Sequence, residues 1–411
     1  MPSATPEEPA LAPLGQHEDR IWEPTPGAYG GRRQRAGGRY RVFVPTPIAE
    51  RRFPLDDDAV AAVSEAAKAL AHLDASQPRV ASLSALAGNL LHSESAASSR
   101  IEGLNISHRR LARAAYAGAG GDQTAAEILG NVEAMKRAIE LGAAGSGFAV
   151  SDIEDIHRTL LRFSADREIA GAVREVQNWI GGNDFNPIGA AYVPPPPEAV
   201  PGLLEDLCLF ISRDDLAPVA QAAIAHAQFE NVHPFVDGNG RVGRALIHLI
   251  LRRREEALNF TPPISLVLAA EPKSYVAGFG AYSAGDVSGW CVTFAEATER
   301  AAREAERLAD EIESRQQAWL ERLGQPRRDA AARQLVGALP EQPVIDVAAG
   351  RRLTGKSHVA VQAALKQLAE AGIVSPLGER KWGRAWECQE LFDLVEEFER
   401  SVAAPGSAPV G

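Results

Sequence analysis

The chain has 411 residues, enough for two or three domains, and its 45% hydrophobic and 24% charged content is that of an ordinary water-soluble globular protein. A formal net charge of −11 argues against general adhesion to nucleic acid or membranes, though it leaves room for a local basic patch. No stretch is apolar for long enough to span a bilayer, the N-terminus lacks the layout of a secretory signal, and Cys208, Cys291 and Cys388 have no metal-ligand spacing. A cytoplasmic protein with free core thiols is therefore expected.

Residues 1–38 are rich in Pro, Gly, Ala and charge and are expected to form a disordered tail, a solvated arm being favoured over docking of Trp22 and Tyr29. Tyr40 to Pro54 reads as an extended, proline-interrupted lead-in. From Asp56 the pattern turns helical, with Asp57 and Asp58 as first-turn acids before Val60 to Leu73, and a further helix from about Ser82 to Ser95. Glu94 to Gly103 reads as a helix end stopped by Gly103, yet Glu102 is an acid in the last turn, the wrong sign for the helix dipole. Helices continue through residues 108–142. After the break at Gly142 to Gly147, Ser151 is the expected N-cap of the next helix, with Glu154 at the capping-box position, and His157 and Arg158 are expected to decorate its surface. The β-prone pairs Trp179-Ile180 and Tyr192-Val193 flank a glycine- and proline-rich turn and predict a short hairpin that Pro194 to Pro197 cannot extend.

Val219 to Phe229 has helical periodicity that Pro234 stops, and Val242 to Glu256 resumes it with Val242, Leu246, Leu249 and Ile250 on one side. Between them runs His233-Pro234-Phe235-Val236-Asp237-Gly238-Asn239-Gly240-Arg241-Val242-Gly243-Arg244. A helix start presents unpaired N–H groups that attract anions, the glycines allow close approach of backbone to a ligand, and Arg241 and Arg244 supply permanently charged forks that match phosphate. His233 is the candidate proton acceptor. Asp237 is a hard oxygen ligand suited to Mg²⁺, a cation commonly held by one or two carboxylates together with substrate phosphates. Together these features describe a phosphate site.

From Phe294 to Leu323 a long helix is expected, a spacer or docking element ending at Gly324-Gln325-Pro326. Gly350 to Ser357 satisfies GxxxxGK[ST], but the apolar run before it is short and no strand–helix alternation follows, so the P-loop reading is rejected. The preferred reading is a helix-turn-helix, with Val344 to Ala349 as first helix, a turn through Gly350 to Gly355, and a second helix from Val359 to Glu370 capped by Ser357. A hairpin wing follows, formed by Ile373 to Pro376 and Ala385 to Cys388, then a closing helix over Leu391 to Phe398. Residues 327–400 carry 11 basic and 11 acidic side chains, so the module has no net positive field. Arg351, Arg352, Lys356, Arg380, Lys381 and Arg384 nevertheless cluster at the turn and wing tip, where DNA phosphates would lie.

The string from His233 to Arg244 resembles the signature of the Fic (filamentation induced by cAMP) family, HPFx[DE]GNGRxxR, at every specified position. The resemblance implies a mainly α fold and a protein adenylyltransferase: His233 as general base, Asp237 as ligand of Mg²⁺ (Mn²⁺ as alternative), Gly238, Asn239 and Gly240 at the α-phosphate of ATP, and Arg241 and Arg244 at the β- and γ-phosphates. The intact Gly238 to Arg241 segment favours AMP transfer over the kinase-like subgroup. Ser98, Glu102 and Gly103 resemble the inhibitory [ST]xxxE[GN] motif, in which the glutamate pairs with the second signature arginine, here Arg244, placing this chain in the class inhibited by an N-terminal helix. The proline-flanked hairpin resembles the family's flap, which would bring Val193 and Tyr192 near the nucleotide or target. Tyr275 stands where members contact adenine, but it is followed by Val276 where a second tyrosine is usual. The C-terminal piece resembles the winged helix found in many members.

The expected organisation is a disordered tail over 1–38, an N-terminal helical domain over 39–142 with the inhibitory helix at about 93–103, a catalytic core over 143–298 with the flap at about 174–197, a linker helix over 299–324, a winged helix over 325–400 and a second tail over 401–411. The expected partner is a protein hydroxyl, on another chain or on this one. For the winged helix, dimerisation or target docking is favoured over DNA binding, and no membrane partner is expected. Two alternatives stand beside AMP transfer: a hydrolase that removes AMP at the same site, and a DNA-binding regulator whose Fic site is vestigial.

Overall fold

The computed structural model describes residues 12–24, 31, 35–75, 83–145, 147–378 and 384–403. Tyr29, Ser82, the wing-tip residues Arg380 and Lys381, and residues 404–411 of the expected second tail lie outside them. The fold is mainly helical, as expected, with two small antiparallel sheets among the described residues.

The chain start departs from expectation. Gly15–Trp22 (β1) pairs antiparallel with Gly38–Pro45 (β2), Gly15 opposite Pro45 and Trp22 opposite Gly38. Leu14 is fully buried, and its amide donates to the Ser283 carbonyl at 2.9 Å. The charged composition of β1 reads as unstructured because a strand of this kind is held by its neighbour's backbone rather than by its own side chains.

The helices follow in order: Asp57–Ala75 (α1), Leu83–Ile101 (α2), His108–Ala117 (α3), Gln123–Ala144 (α4), Val150–Leu160 (α5), Val200–Ile211 (α6), Pro218–Val232 (α7), Asn239–Arg253 (α8), Ile264–Ala270 (α9), Pro272–Ala284 (α10) and Val287–Arg322 (α11). The α5 cap lies two residues before the expected Ser151: Ala149 is the N-cap, and its amide donates to Asp152 at 2.9 Å. α7 is buried along nearly its whole length because its alanines let α8 and α11 approach closely. Its partner α8 is buried from Val242 to Leu251, and Trp290 of α11 is locked against α7 by an indole N–H bond of 2.7 Å to the Ala223 carbonyl. The expected linker helix is not a separate element: α11 is one helix of 36 residues whose buried face runs from Trp290 to Trp319 and Leu320. The three cysteines are free and buried, and burial pushes each thiol up to about 12.

Beyond α11 come Ala331–Ala338 (α12), Val344–Asp346 (β3), Val347–Thr354 (α13), His358–Glu370 (α14), Ser375–Leu377 (β4), Ala385–Glu387 (β5) and Gln389–Ala403 (α15), with strand order β3-β5-β4. The first helix expected over Val344 to Ala349 is corrected. Val344 to Asp346 pairs with β5, and α13 starts only after Asp346, whose side chain caps it by accepting from the Ala349 amide at 2.7 Å. Gly350 to Thr354 is helical rather than a turn. The apolar core is continuous from α8 through α11 into this module, reaching Leu335, Ile345, Val361 and Leu368.

Candidate active site

α7 stops at Val232, and His233 takes the left-handed conformation, φ 48°, its amide bonded to the Phe229 carbonyl at 2.9 Å. That conformation is costly for a side-chain-bearing residue, and here it is held from outside. Arg174, 3% exposed, donates through Nε to the His233 carbonyl at 2.8 Å and through Nη2 to the Pro195 carbonyl at 2.6 Å, while its amide donates to the Pro234 carbonyl at 2.9 Å. Burial lowers the Arg174 guanidinium to about 10.

Burial, with help from the Arg174 charge, pushes the His233 imidazole down to about 4, so it is a neutral acceptor at ordinary pH. Its Nδ1 lies 4.0 Å from Oε2 of Glu230, a carboxyl that burial raises to about 7. The segment after it is shaped by Asn239, whose side chain accepts from the Phe235 amide and donates to the Phe235 carbonyl, both at 2.8 Å. Asn239, expected at the α-phosphate, is thus committed to the bend itself. Gly238, φ 82°, is the N-cap of α8 and aims the first amides of that helix outward.

The two arginines lie three residues apart with different partners. Arg241 Nη2 donates to Asp237 Oδ2 at 2.8 Å, so the expected metal ligand is held by the expected phosphate fork on the half-exposed rim. Arg244 is 1% exposed and donates through Nε to Ser98 Oγ at 2.8 Å, through Nη2 to the Ser98 carbonyl at 2.8 Å, and through Nη2 to Glu102 Oε1 at 2.7 Å. α2 ends at Ile101, Gly103 takes φ 84°, and Glu102 projects across the first turn of α8. Its carboxylate lies against Gly240, in the space a Cβ there would fill. Burial opposes its ionisation, but the charge and hydrogen bond of Arg244 and the charge of Arg241 outweigh that and hold the carboxyl below its ordinary value. A carboxylate of this chain therefore sits where the helix start and two guanidinium groups favour an anion.

Two polar residues behind the site, His157 and Glu94, carry roles the sequence reading missed. His157 was expected on the surface and is fully buried: its ring stacks on Phe235 at 3.7 Å, Nε2 donates to the Asp237 carbonyl at 3.0 Å, and Nδ1 accepts from the Gly171 amide at 2.9 Å. The signal was present, since His157 falls four residues after Ile153 on the buried face of α5. Arg158 is surface-exposed as expected, paired with Asp155 at 3.3 Å. Glu94, fully buried, bonds to His248 Nε2 at 2.9 Å and accepts from the Ser265 amide at 2.7 Å, fastening α2 to α8 and α9.

Two residues expected at the nucleotide are both buried. Tyr275 is 4% exposed, shares a 2.7 Å hydrogen bond with His226 and stacks on its ring, backing Arg244 from the core rather than lining an open adenine site. Val193 is buried, and its carbonyl accepts from the Phe43 amide of β2 at 2.8 Å. The flap hairpin is reduced to one bridge, Ile180 with Tyr192, whose hydroxyl donates to the Asn231 carbonyl at 2.7 Å. No group of three or more His, Cys, Asp or Glu side chains able to hold a metal exists among the described residues. The lone Asp237 carboxylate fits a Mg²⁺ that arrives with nucleotide phosphates, not a cage made by protein alone.

Comparison with known proteins agrees with this geometry. Residues 147–251 match the Fic/DOC family and residues 60–140 the Fic/DOC family N-terminal region. The chain is 33% identical over 130 residues to protein adenylyltransferase fic-1 of Caenorhabditis elegans, covering 31% of this chain and 23% of that protein. To a probable protein adenylyltransferase of Aquifex aeolicus it is 41% identical over 70 residues, 17% of this chain and 22% of that protein. These matches thus span about a quarter of each relative's length. In three dimensions a Fic family protein from Desulfovibrio desulfuricans aligns with 82% of this chain and 97% of its own, TM-score 0.52 at 22% identity, a likeness of fold. The Arg244–Glu102 pair thus joins two regions of the chain that both match the Fic/DOC family, one carrying Glu102 and the other Arg244.

Proposed function

We propose that this chain is a protein adenylyltransferase that transfers AMP from ATP to a Tyr, Thr or Ser hydroxyl of a protein, itself included, and that Glu102 restrains it by occupying Arg244. The observation that carries the reading is the Glu102 carboxylate held by Arg244 at 2.7 Å against Gly240, at the start of α8. An anion site that the chain fills with its own acid is one built for a stronger anion.

When Glu102 withdraws, the first amides of α8 and Arg244 are left to receive a triphosphate, with Arg241 exchanging Asp237 for phosphate oxygens. The neutral His233 takes the proton from the attacking hydroxyl, the hydroxyl oxygen bonds to the α-phosphorus, and the bond to the pyrophosphate oxygen breaks. A Mg²⁺ held by Asp237 and the phosphates would neutralise charge on the leaving pyrophosphate. Arg174 and His157 keep the loop in register, and positioning of this kind supplies much of the catalysis in phosphoryl-type transfer.

The test is incubation with ATP labelled at the α- or γ-phosphate. Label from the α position alone is expected, increased in Glu102→Gly and reduced by about 10² to 10⁴ in His233→Ala. Transfer of γ-label would instead make the enzyme a kinase. A second reading, removal of AMP by water, rests on the ionised Glu102 lying close enough to His233 for their charges to interact. Release of AMP from a modified protein by wild type but not by Glu102→Gly would establish it. For residues 325–400 we retain a winged helix used in docking or dimerisation, DNA being the alternative partner.

A further inference from the structure

The inhibitory segment is held at its far side as well as at Arg244. Arg100, in the last turn of α2 and two residues before Glu102, donates to Glu399 Oε2 of α15 at 2.7 Å. The other oxygen of Glu399 meets His108 Nε2, the first residue of α3, at 2.6 Å. One turn along α3, Arg113 makes a two-pronged bond to Glu387 of β5, both arms at 2.8 Å, and Arg109 joins the same carboxylate. Tyr116, at the far end of α3, donates to Asp346 at 2.9 Å. Glu387 and Glu399 are 2% and 7% exposed, so neither acid is an incidental surface charge. Burial opposes ionisation of both, yet the hydrogen bonds and charges of Arg113 and Arg109, and of His108 and Arg100, hold each carboxyl below its ordinary value.

Buried carboxylates of this kind are costly unless fully paired, and their pairing is directional. Apolar packing at this seam is thin: Ala112 lies against Val344, Ala385 and Phe392, and a cavity of about 610 Å³ opens beside them, lined by His92, His108, Tyr116, Asp346 and Phe392. The ionic grips therefore carry much of the attachment between α3 and the C-terminal module.

We propose that the C-terminal module is a second holder of the inhibitory helix, gripping the end of α2 and α3 through Glu399 and Glu387, so that loosening this seam frees Glu102 from Arg244. Arg100 and Glu399 act as positioning residues for Glu102. The inference rests on the proposed inhibition for its effect on nucleotide binding, but the grip itself is a physical claim that can be tested without nucleotide.

The experiment uses the full chain as wild type, Glu399→Gln, Arg100→Gln, Glu102→Gly, Glu102→Gly/Glu399→Gln, and the exchanged pair Arg100→Glu/Glu399→Arg. Hydrogen exchange of residues 96–106 is read against α7 as internal reference, and affinity for a non-hydrolysable ATP analogue with Mg²⁺ is measured by calorimetry. Faster exchange over 96–106 with α7 unchanged is expected in both single variants, partly restored in the exchanged pair. Nucleotide affinity should rise about fivefold or more in Glu399→Gln and not at all on adding that change to Glu102→Gly, the signature of two changes acting through one contact. Unchanged exchange over 96–106 overturns the proposal, as does unchanged affinity in Glu399→Gln while Glu102→Gly binds tighter, or a full additive gain in the double variant. If Glu399→Gln loosens α7 as well, Arg100→Gln, which leaves Glu399 paired with His108, decides. If Glu102→Gly binds no nucleotide, the inhibition reading fails and the exchange data alone judge the grip.

Discussion

Two stretches of this chain carry nearly the same ingredients, Gly238 to Arg244 and Gly350 to Ser357, and only one makes an anion site. Gly238, φ 82°, opens α8, so its left-handed turn points free amides and the positive end of the helix at Glu102. Gly355, φ 65°, closes α13, and its amide satisfies the Arg351 carbonyl at the negative end. The basic side chains differ as sharply. Arg244 is buried with three hydrogen bonds, whereas Arg351 and Arg352 stand in solvent. Composition and spacing do not separate the two stretches; which end of a helix the glycine sits at does.

Several substitutions test that contrast. The largest effect should come from Arg244→Ala, which leaves the buried Ser98 hydroxyl and carbonyl without their donor; a loss of about 1–3 kcal/mol for each is expected in urea unfolding. Acid comes next, because the signature region stores depressed histidines. Burial lowers His157 and His233 to about 4 and His226 to about 3. Each binds a proton more readily in the unfolded chain, so their stability contribution is complete above about pH 6.5 and drains as pH falls towards 4. Unfolding midpoints at pH 7.5 and 5 should show that drop, and a rise at pH 5 would contradict it. Gly238→Ala should cost about 1–2 kcal/mol from its left-handed backbone, plus crowding of the Leu160 and His157 side chains 3.0 and 3.4 Å from the added carbon. Gly355→Ala meets nothing within 4 Å and should show the backbone cost alone. Arg351→Ala should leave both stability, within about 0.5 kcal/mol, and nucleotide binding unchanged.

The contrast also marks how far sequence reading reached. The α7–loop–α8 unit and the end of α2 at Gly103 were legible because they depend on local periodicity and on glycine and proline. Glu102 was legible as an acid at the wrong end of a helix, which implied a partner elsewhere. The partners of Glu94, Glu387 and Glu399 were not legible, since each lies more than 150 residues away and no local rule pairs His248 with Glu94 or Arg100 with Glu399. His157 was misassigned through its polarity, though its position on α5 matched the buried stripe. Val344 to Ala349 read as helix because a three-residue strand offers too short an alternation to outweigh the alanines that follow.

The first strand bears on how this protein can be trimmed. Its composition invites deletion of everything before residue 38, but Trp22 packs edge-on against Trp179 with ring centres 5.6 Å apart, and Gly38 lies against Ile188, within the bend between the two halves of the flap. A shortened version lacking β1 would thus lose a wall on which the hairpin beside the active site leans. A preparation cut there would keep the helical core and lose the support that Trp22 gives to Trp179.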